Sequence, residues 1–199
     1  MVWKPDYVTD AELREYITRS SETVDDTYLG IAAGAASRAI DGHCHRQFGK
    51  VAGTEERVYS AEWSWTRRRW VIEIDDLMED SLTITNADGA EITGYHLEPR
   101  NAAANGKPWE QLVIDPTSTA KPAGDEYLIT IDGPWGWTAV PTQVTQATLL
   151  QGSRFMARRV SPFGVAGSPD QGNELRLLSR LDPDVAVSLR GLIRWWAAA

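Results

Sequence analysis

The sequence predicts an α+β protein with a helical core of about four helices, a mostly antiparallel β sandwich or barrel inserted into it, and a C-terminal helix free to dock elsewhere. Three observations predict it. Apolar residues recur at helical spacing in residues 1–50 and again in 136–160; between residues 51 and 135 the period changes to two; and residues 182–199 carry one strongly apolar face beyond a Gly-, Pro- and Ser-rich linker at 161–181. With 199 residues and 42% hydrophobic side chains the chain can fill a sizeable core.

The first helix opens at Thr9, which stands at capping-box spacing from Glu12, and carries Leu13, Tyr16 and Ile17 as its apolar stripe. A second begins near Thr23, with Asp26 in the first turn where a negative charge suits the helix dipole, and runs through TYLGIAAGAASRAIDGHCHRQF to Phe48. Gly30 and Gly34 stand one turn apart among alanines, so another backbone must come close, from the same subunit or from a neighbour. RVYSA, RWVIEI, SLTIT, AEITGYHL, WEQLVI and EYLITID then read as six strands, with NADG supplying hairpin-turn chemistry between the third and fourth. Helical spacing returns after Pro141, where Val144, Ala147, Gln151 and Phe155 recur on one side. Finally Asp182 caps and Pro183 opens a helix on which Val185, Leu189, Leu192, Ile193 and Trp196 share a face.

Charge narrows the function. A net charge of -8 with a pI near 4.9 argues against gripping nucleic acid in a basic cleft, because such binding rests on Lys and Arg against phosphate. Residues 1–50 carry -2, residues 51–135 carry -9 and residues 136–199 carry +3, a split that suggests surfaces facing different partners. One cysteine makes no internal disulfide, the start MVWKPDYVTD has no basic stretch followed by an apolar run, and the apolar stretches fall short of the roughly 18 residues of a membrane span. The expected setting is a reducing cytoplasm, at least during synthesis.

Candidate chemistry is sparse. In HCHRQF, a helix continued to Phe48 turns by about 100° per residue, so His43 and His45 lie about 160° apart and cannot chelate one ion. Cys44 then falls with Leu29 and Ile40 on the apolar side, where a thiol is a small hydrophobe rather than a nucleophile. His96, in a predicted strand, completes no set of three or four convergent ligands. EIDDLMED offers four carboxylates from Asp75 to Asp80 as an acid and base pair, against the simpler reading of a solvated loop. There is no GxSxG elbow and no GxxxxGK[ST] phosphate loop. The expectation is a protein without catalytic chemistry, metal or cofactor. Among the nine tryptophans, Trp63, Trp65 and Trp70 bracket Arg67–Arg69, and Trp135 and Trp137 flank Gly136. Rings so placed either build a flat platform that stacks sugars or bases, as in a carbohydrate-binding module on a Trp-rich sheet, or fill the β core.

Four segments in order carry a resemblance: ASRAIDGHCHRQF, YHLEPRNAAANGKPW, GPWGWTAVPTQVTQATLLQGSRFMARRVSPFGVAG and LDPDVAVSLRGLIRWW. The series resembles the head-tail connector, or adaptor, proteins of long-tailed double-stranded DNA phages over nearly the whole chain. Its most specific pieces run from Trp135 to Gly164 and over DPDV at Asp182 to Val185. The resemblance implies a helical connector core and a non-enzymatic virion protein at the neck, forming a homo-oligomeric ring, a dodecamer, under the portal protein. A tail-side neck protein, stopper or tail terminator, is the next partner; DNA passes through the channel without specific binding, and no membrane is involved. An acidic channel wall fits that role, since it repels phosphate and lets DNA slide.

The C-terminal segment becomes a portal-docking helix, with Val185, Leu189, Leu192, Ile193, Trp195 and Trp196 as anchors and Arg190 and Arg194 at the rim. Gly30, Gly34, Arg38, Arg154 and Arg158 are the candidates for helix packing or subunit contact. On the same likeness HCHRQF is a helix terminus whose Arg46 and Phe48 anchor the passage into the sheet.

Overall fold

The computed structural model describes residues 4–18, 26–124, 126–160, 165–166, 175–176 and 181–195. The chain divides into two units, one of Lys4 and Gly49–Ala139, the other of Pro5–Phe48 and the residues from Val140 on.

The first unit is built of strands: β1 (Glu55–Ser60), β2 (Glu62–Ser64), β3 (Arg69–Leu77), β4 (Thr83–Asn86), β5 (Tyr95–Glu98), β6 (Trp109–Ile114) and β7 (Leu128–Gly133). They pair antiparallel in two sheets, of order β1-β7-β4 and β2-β3-β6-β5. A period of two sends alternate side chains to one face. Accordingly Ile72 and Ile74 of β3, Leu112 and Ile114 of β6, and Ile129 and Ile131 of β7 are buried together with Trp135 in one cluster.

The NADG turn forms as its residues dictate: Gly89 has φ 78°, and Asn86 Oδ1 accepts from the N–H groups of Asp88 (3.1 Å) and Ala90 (2.8 Å). The strand read after it, AEITGYHL, is divided. Ile92 still donates to Ile84 O (2.8 Å) beside β4, whereas β5 crosses to pair with β6. Gly94 marks the crossing, since a Cβ there would lie 2.9 Å from Ser118 Cβ.

The second unit holds α1 (Asp10–Ile17), α2 (Asp26–Cys44), α3 (Thr142–Val160) and α4 (Pro183–Leu189), with a two-residue ladder of β8 (Val165–Ala166) and β9 (Leu175–Arg176). The capping box of α1 is complete: Glu12 N–H donates to Thr9 Oγ1 (3.2 Å) and Thr9 N–H to Glu12 Oε2 (2.7 Å). Val8, Leu13, Leu29, Ala32 and Ala33 form the core here, joined by Leu149, Phe155 and Met156. The bare surface of α2 admits the chain's own N-terminal segment. A Cβ at Gly34 would meet the Asp6 carboxylate at 3.4 Å, and one at Gly30 would meet Asp10 at 3.8 Å. That segment is fixed by Tyr7 N–H to Ser37 Oγ (3.0 Å), Arg38 to Pro5 O (2.6 Å), and Phe48 N–H to Tyr7 Oη (2.9 Å), with the Tyr7 hydroxyl donating to Asp41.

This architecture corrects the expected fold. Four helices and seven strands in two antiparallel sheets are present among the described residues, so the β domain accounts for as much of the architecture as the helices and the expected helical connector core is not supported. The strands enclose a buried cluster of their own, and α1 and α4 have only 8 and 7 residues.

The extent of the C-terminal helix is also corrected. Helical structure stops at Leu189, continues as a short 3-10 turn over Arg190–Leu192, and becomes extended at Ile193. Val185 and Leu189 are buried in the unit itself, α4 packs against α3, and Arg194, expected at a rim, is buried with its N–H on Cys44 O (2.8 Å). Two further boundaries shift. Helix α2 ends at Cys44, not Phe48, because His45 turns into the left-handed region at φ 53°, and the stretch read as linker contains the β8/β9 ladder. The expected cap at Thr23, the anchor Trp196 and the remainder of 161–180 lie outside the described residues. No described helix is long and apolar enough to cross a membrane.

Candidate interaction surface

On the first unit, β2 and β3 are joined by a tight turn. Trp63 stands opposite Trp70 in the register, and Arg68 in the turn takes φ 54°. Side chains at directly opposed positions meet on one face. Trp63 and Trp70 contact edge-to-face (5.3 Å between centroids, 70°), Trp63 and Trp65 likewise (6.2 Å, 83°), and Tyr127, entering β7, tilts against Trp70 (4.7 Å, 43°). With Ala61 and Glu62 these rings line an open depression. Trp65 is 84% exposed, Tyr127 47% and Trp63 37%. Such a concentration of exposed aromatic area is a mark of a contact surface. The rings make a corner and not the flat platform that a stacked sugar would need.

The second tryptophan pair has a different fate. Trp135 and Trp137 are buried; Trp135 Nε1 donates to Glu55 O (2.7 Å) and Trp137 Nε1 to Asp76 Oδ2 (2.7 Å). Between them Gly136 lies at φ 111° and donates to Asp76 O (2.7 Å), while Trp137 N–H donates to Gly49 O (2.9 Å). The WGW motif is thus a backbone lock of the β unit.

The carboxylates of EIDDLMED separate. Asp75 accepts from Arg57 (2.7 Å) and the Tyr59 hydroxyl (2.9 Å), the buried Asp76 accepts from Trp137, and Glu79 pairs with Lys50. Asp75 and Asp76, adjacent on β3, are thus held by different partners and are not arranged as an acid and base pair. The three histidines do not converge. His43 and His45 fall at the end of α2, and His96 Nδ1 and Nε2 face Asp115 (3.0 Å) and Glu98 (3.4 Å). No group of three or more His, Cys, Asp or Glu that could hold a metal occurs among the described residues.

Of the residues assigned to subunit contact, Gly30 and Gly34 face Asp10 and Asp6 of the same chain, Arg38 holds Pro5 and Asp41, and Arg154 pairs with Asp182 at the cap of α4. Of the expected anchors, Trp195 is exposed while Val185 and Leu189 are covered. Sequence reasoning missed Glu62 and Tyr127. The signal was available in the register of SWTRRRW as a short hairpin, which brings their neighbours face to face.

Burial pushes the Cys44 thiol up to about 12. It raises Tyr7 and Tyr59 as well, aided by Asp41 and Asp75 respectively. The folded protein therefore keeps protons that the unfolded chain releases above its ordinary values, about 8.5 for Cys and 10 for Tyr, so stability falls as pH rises through that range. Thermal melts are expected to be flat between about pH 7 and 8 and to drop steadily above about pH 9, with a shallower drop for Tyr7→Phe or Cys44→Ala. A melting temperature unchanged up to about pH 10.5 contradicts this assignment.

Compared with protein-family models and with curated proteins, the chain matches none.

Proposed function

We propose that the chain is a structural subunit of a virus neck. It is a head-tail connector of a long-tailed double-stranded DNA phage that assembles with its own copies into a ring between the portal protein and a tail-side neck protein. The observation that carries this reading is the aromatic corner of Trp63, Trp65, Trp70 and Tyr127, three of whose rings, Trp63, Trp65 and Tyr127, are exposed. A protein with a buried core to place aromatic rings in, which instead holds them at the surface, is built to meet another macromolecule.

The segments that carry the likeness to connectors support it in a second way, because their particular residue types have structural work. Gly136 permits the crossing at Gly49, and Asp182 caps α4 while pairing with Arg154 of α3. The excess of carboxylates suits a ring through which DNA moves unheld. The protein acts in the virion neck, and in the host cytoplasm during assembly.

Purified full-length chain mixed with portal protein is expected to give a defined ring complex by light scattering and negative-stain imaging. A chain that stays monomeric and leaves portal unaltered rejects the reading. Carbohydrate binding is the second reading, favoured by the exposed indole of Trp65. A saturable fluorescence change with polysaccharide and no assembly would establish it instead.

A further inference from the structure

We infer that the corner of Trp63, Trp65, Trp70 and Tyr127 is a cage for an organic cation, and that its occupant is an arginine or lysine side chain on the protein this chain meets. That the partner is a neck protein rests on the reading above; the cage does not.

Three observations point to a cation. The first is ring geometry. Neighbouring indoles meet at interplanar angles of 83° and 70° around one depression, and an aromatic face presents the negative side of its quadrupole. A sugar is served by one broad flat face; a compact cation is served by rings set at steep angles. The second is the lining. Glu62 borders the depression beside the rings, and a carboxylate at its edge favours positive charge there. The third is the charge of the surrounding unit. Residues 49–139 hold 16 of the 28 acidic side chains and 8 of the 20 basic ones, so the whole net charge of -8 belongs to this stretch, and the rest of the chain balances to zero.

The basic turn beside the cage does not oppose this. Arg67 is tied to Glu98 (2.7 Å) and Arg69 to Asp115 (2.9 Å), which neutralises two of its three guanidinium groups locally.

The test uses full-length protein and the indole N–H resonances, titrated with tetramethylammonium, with N-acetyl-arginine amide, and with N-acetyl-citrulline amide, which has the shape of the arginine compound without its charge. Saturable shifts of a few indoles are expected with both cations, at affinities about fivefold or more above citrulline. Trp65→Ala should weaken the response about tenfold, and Glu62→Gln about threefold, with thermal stability of the exposed Trp65 variant unchanged.

Equal response to citrulline, an undiminished response in Trp65→Ala, or shifts with polysaccharide alone would overturn the cage. Ring formation with portal is scored on the same samples. Cation shifts without a ring keep the cage and reject the neck reading; a ring without cation shifts does the reverse.

Discussion

Gly136→Ala is expected to destabilise the β unit by about 3 kcal/mol or more, and to leave a large share of the protein insoluble on expression. At φ 111° the backbone is in a region that side chains rarely adopt, which by itself costs on the order of 1–3 kcal/mol. Space is the larger obstacle. A Cβ would overlap the carbonyl oxygen of Gly49 and stand 2.7 Å from Lys50 Cα, both backbone atoms and unable to swing away as a side chain would. Moving them apart would break a lattice of bonds at once: Val51 N–H to Trp135 O (3.0 Å), Trp137 N–H to Gly49 O (2.9 Å) and Gly136 N–H to Asp76 O (2.7 Å). Trp135, with no exposed surface, and the Trp137 indole on Asp76 would lose their seats with it.

Urea unfolding followed by tryptophan fluorescence measures the effect. Gly53→Ala, in the same unit with nothing within 4 Å of its Cβ position, is the control and should stay within about 0.5 kcal/mol. A Gly136→Ala protein within about 1 kcal/mol of the parent would refute the lock.

Local signals were legible where one residue's chemistry decides the outcome. Thr9 and Glu12 announce a cap because both bonds close within four residues, and NADG announces a turn because Gly89 and Asn86 suffice to make it. Alternation likewise located the strands, since the buried isoleucines of β3 and β7 follow it without interruption. What the sequence did not disclose depends on partners far along the chain. Gly30 and Gly34 showed that something approaches α2, but not that it is Asp6 and Asp10. The end of α2 at His45 carries no glycine to mark it. The split of AEITGYHL between two sheets follows from the close pass of Gly94 over Ser118, which no local pattern encodes. The aromatic corner was half visible: Trp63, Trp65 and Trp70 stood out by type, whereas Tyr127 joins them only through the tertiary fold.

The C-terminal segment shows how far periodicity can mislead. Spacings of four, seven and eight from Val185 describe a helix face only while the chain remains helical, and Gly191 lies where it stops being so. Leu189→Ala is therefore expected to destabilise the isolated chain by about 2–5 kcal/mol, because it opens a cavity under a side chain with no exposed surface. A helix waiting for a partner gives the opposite expectation, no change in the chain alone and loss only in complex.

Both ends of the segment favour the first outcome. Asp182 is held by Arg154 of α3, and Arg194 N–H by Cys44 O at the end of α2, so the turn between them is pinned within its own unit. Val187→Ala, on the same helix but 74% exposed, should change stability by less than about 0.5 kcal/mol, and the contrast between the two substitutions isolates burial from helix propensity. Thermal unfolding by circular dichroism, with hydrogen exchange in α3 as the local probe, reads both variants. If Leu189→Ala melts with the parent and leaves α3 equally protected, the segment is not part of this core.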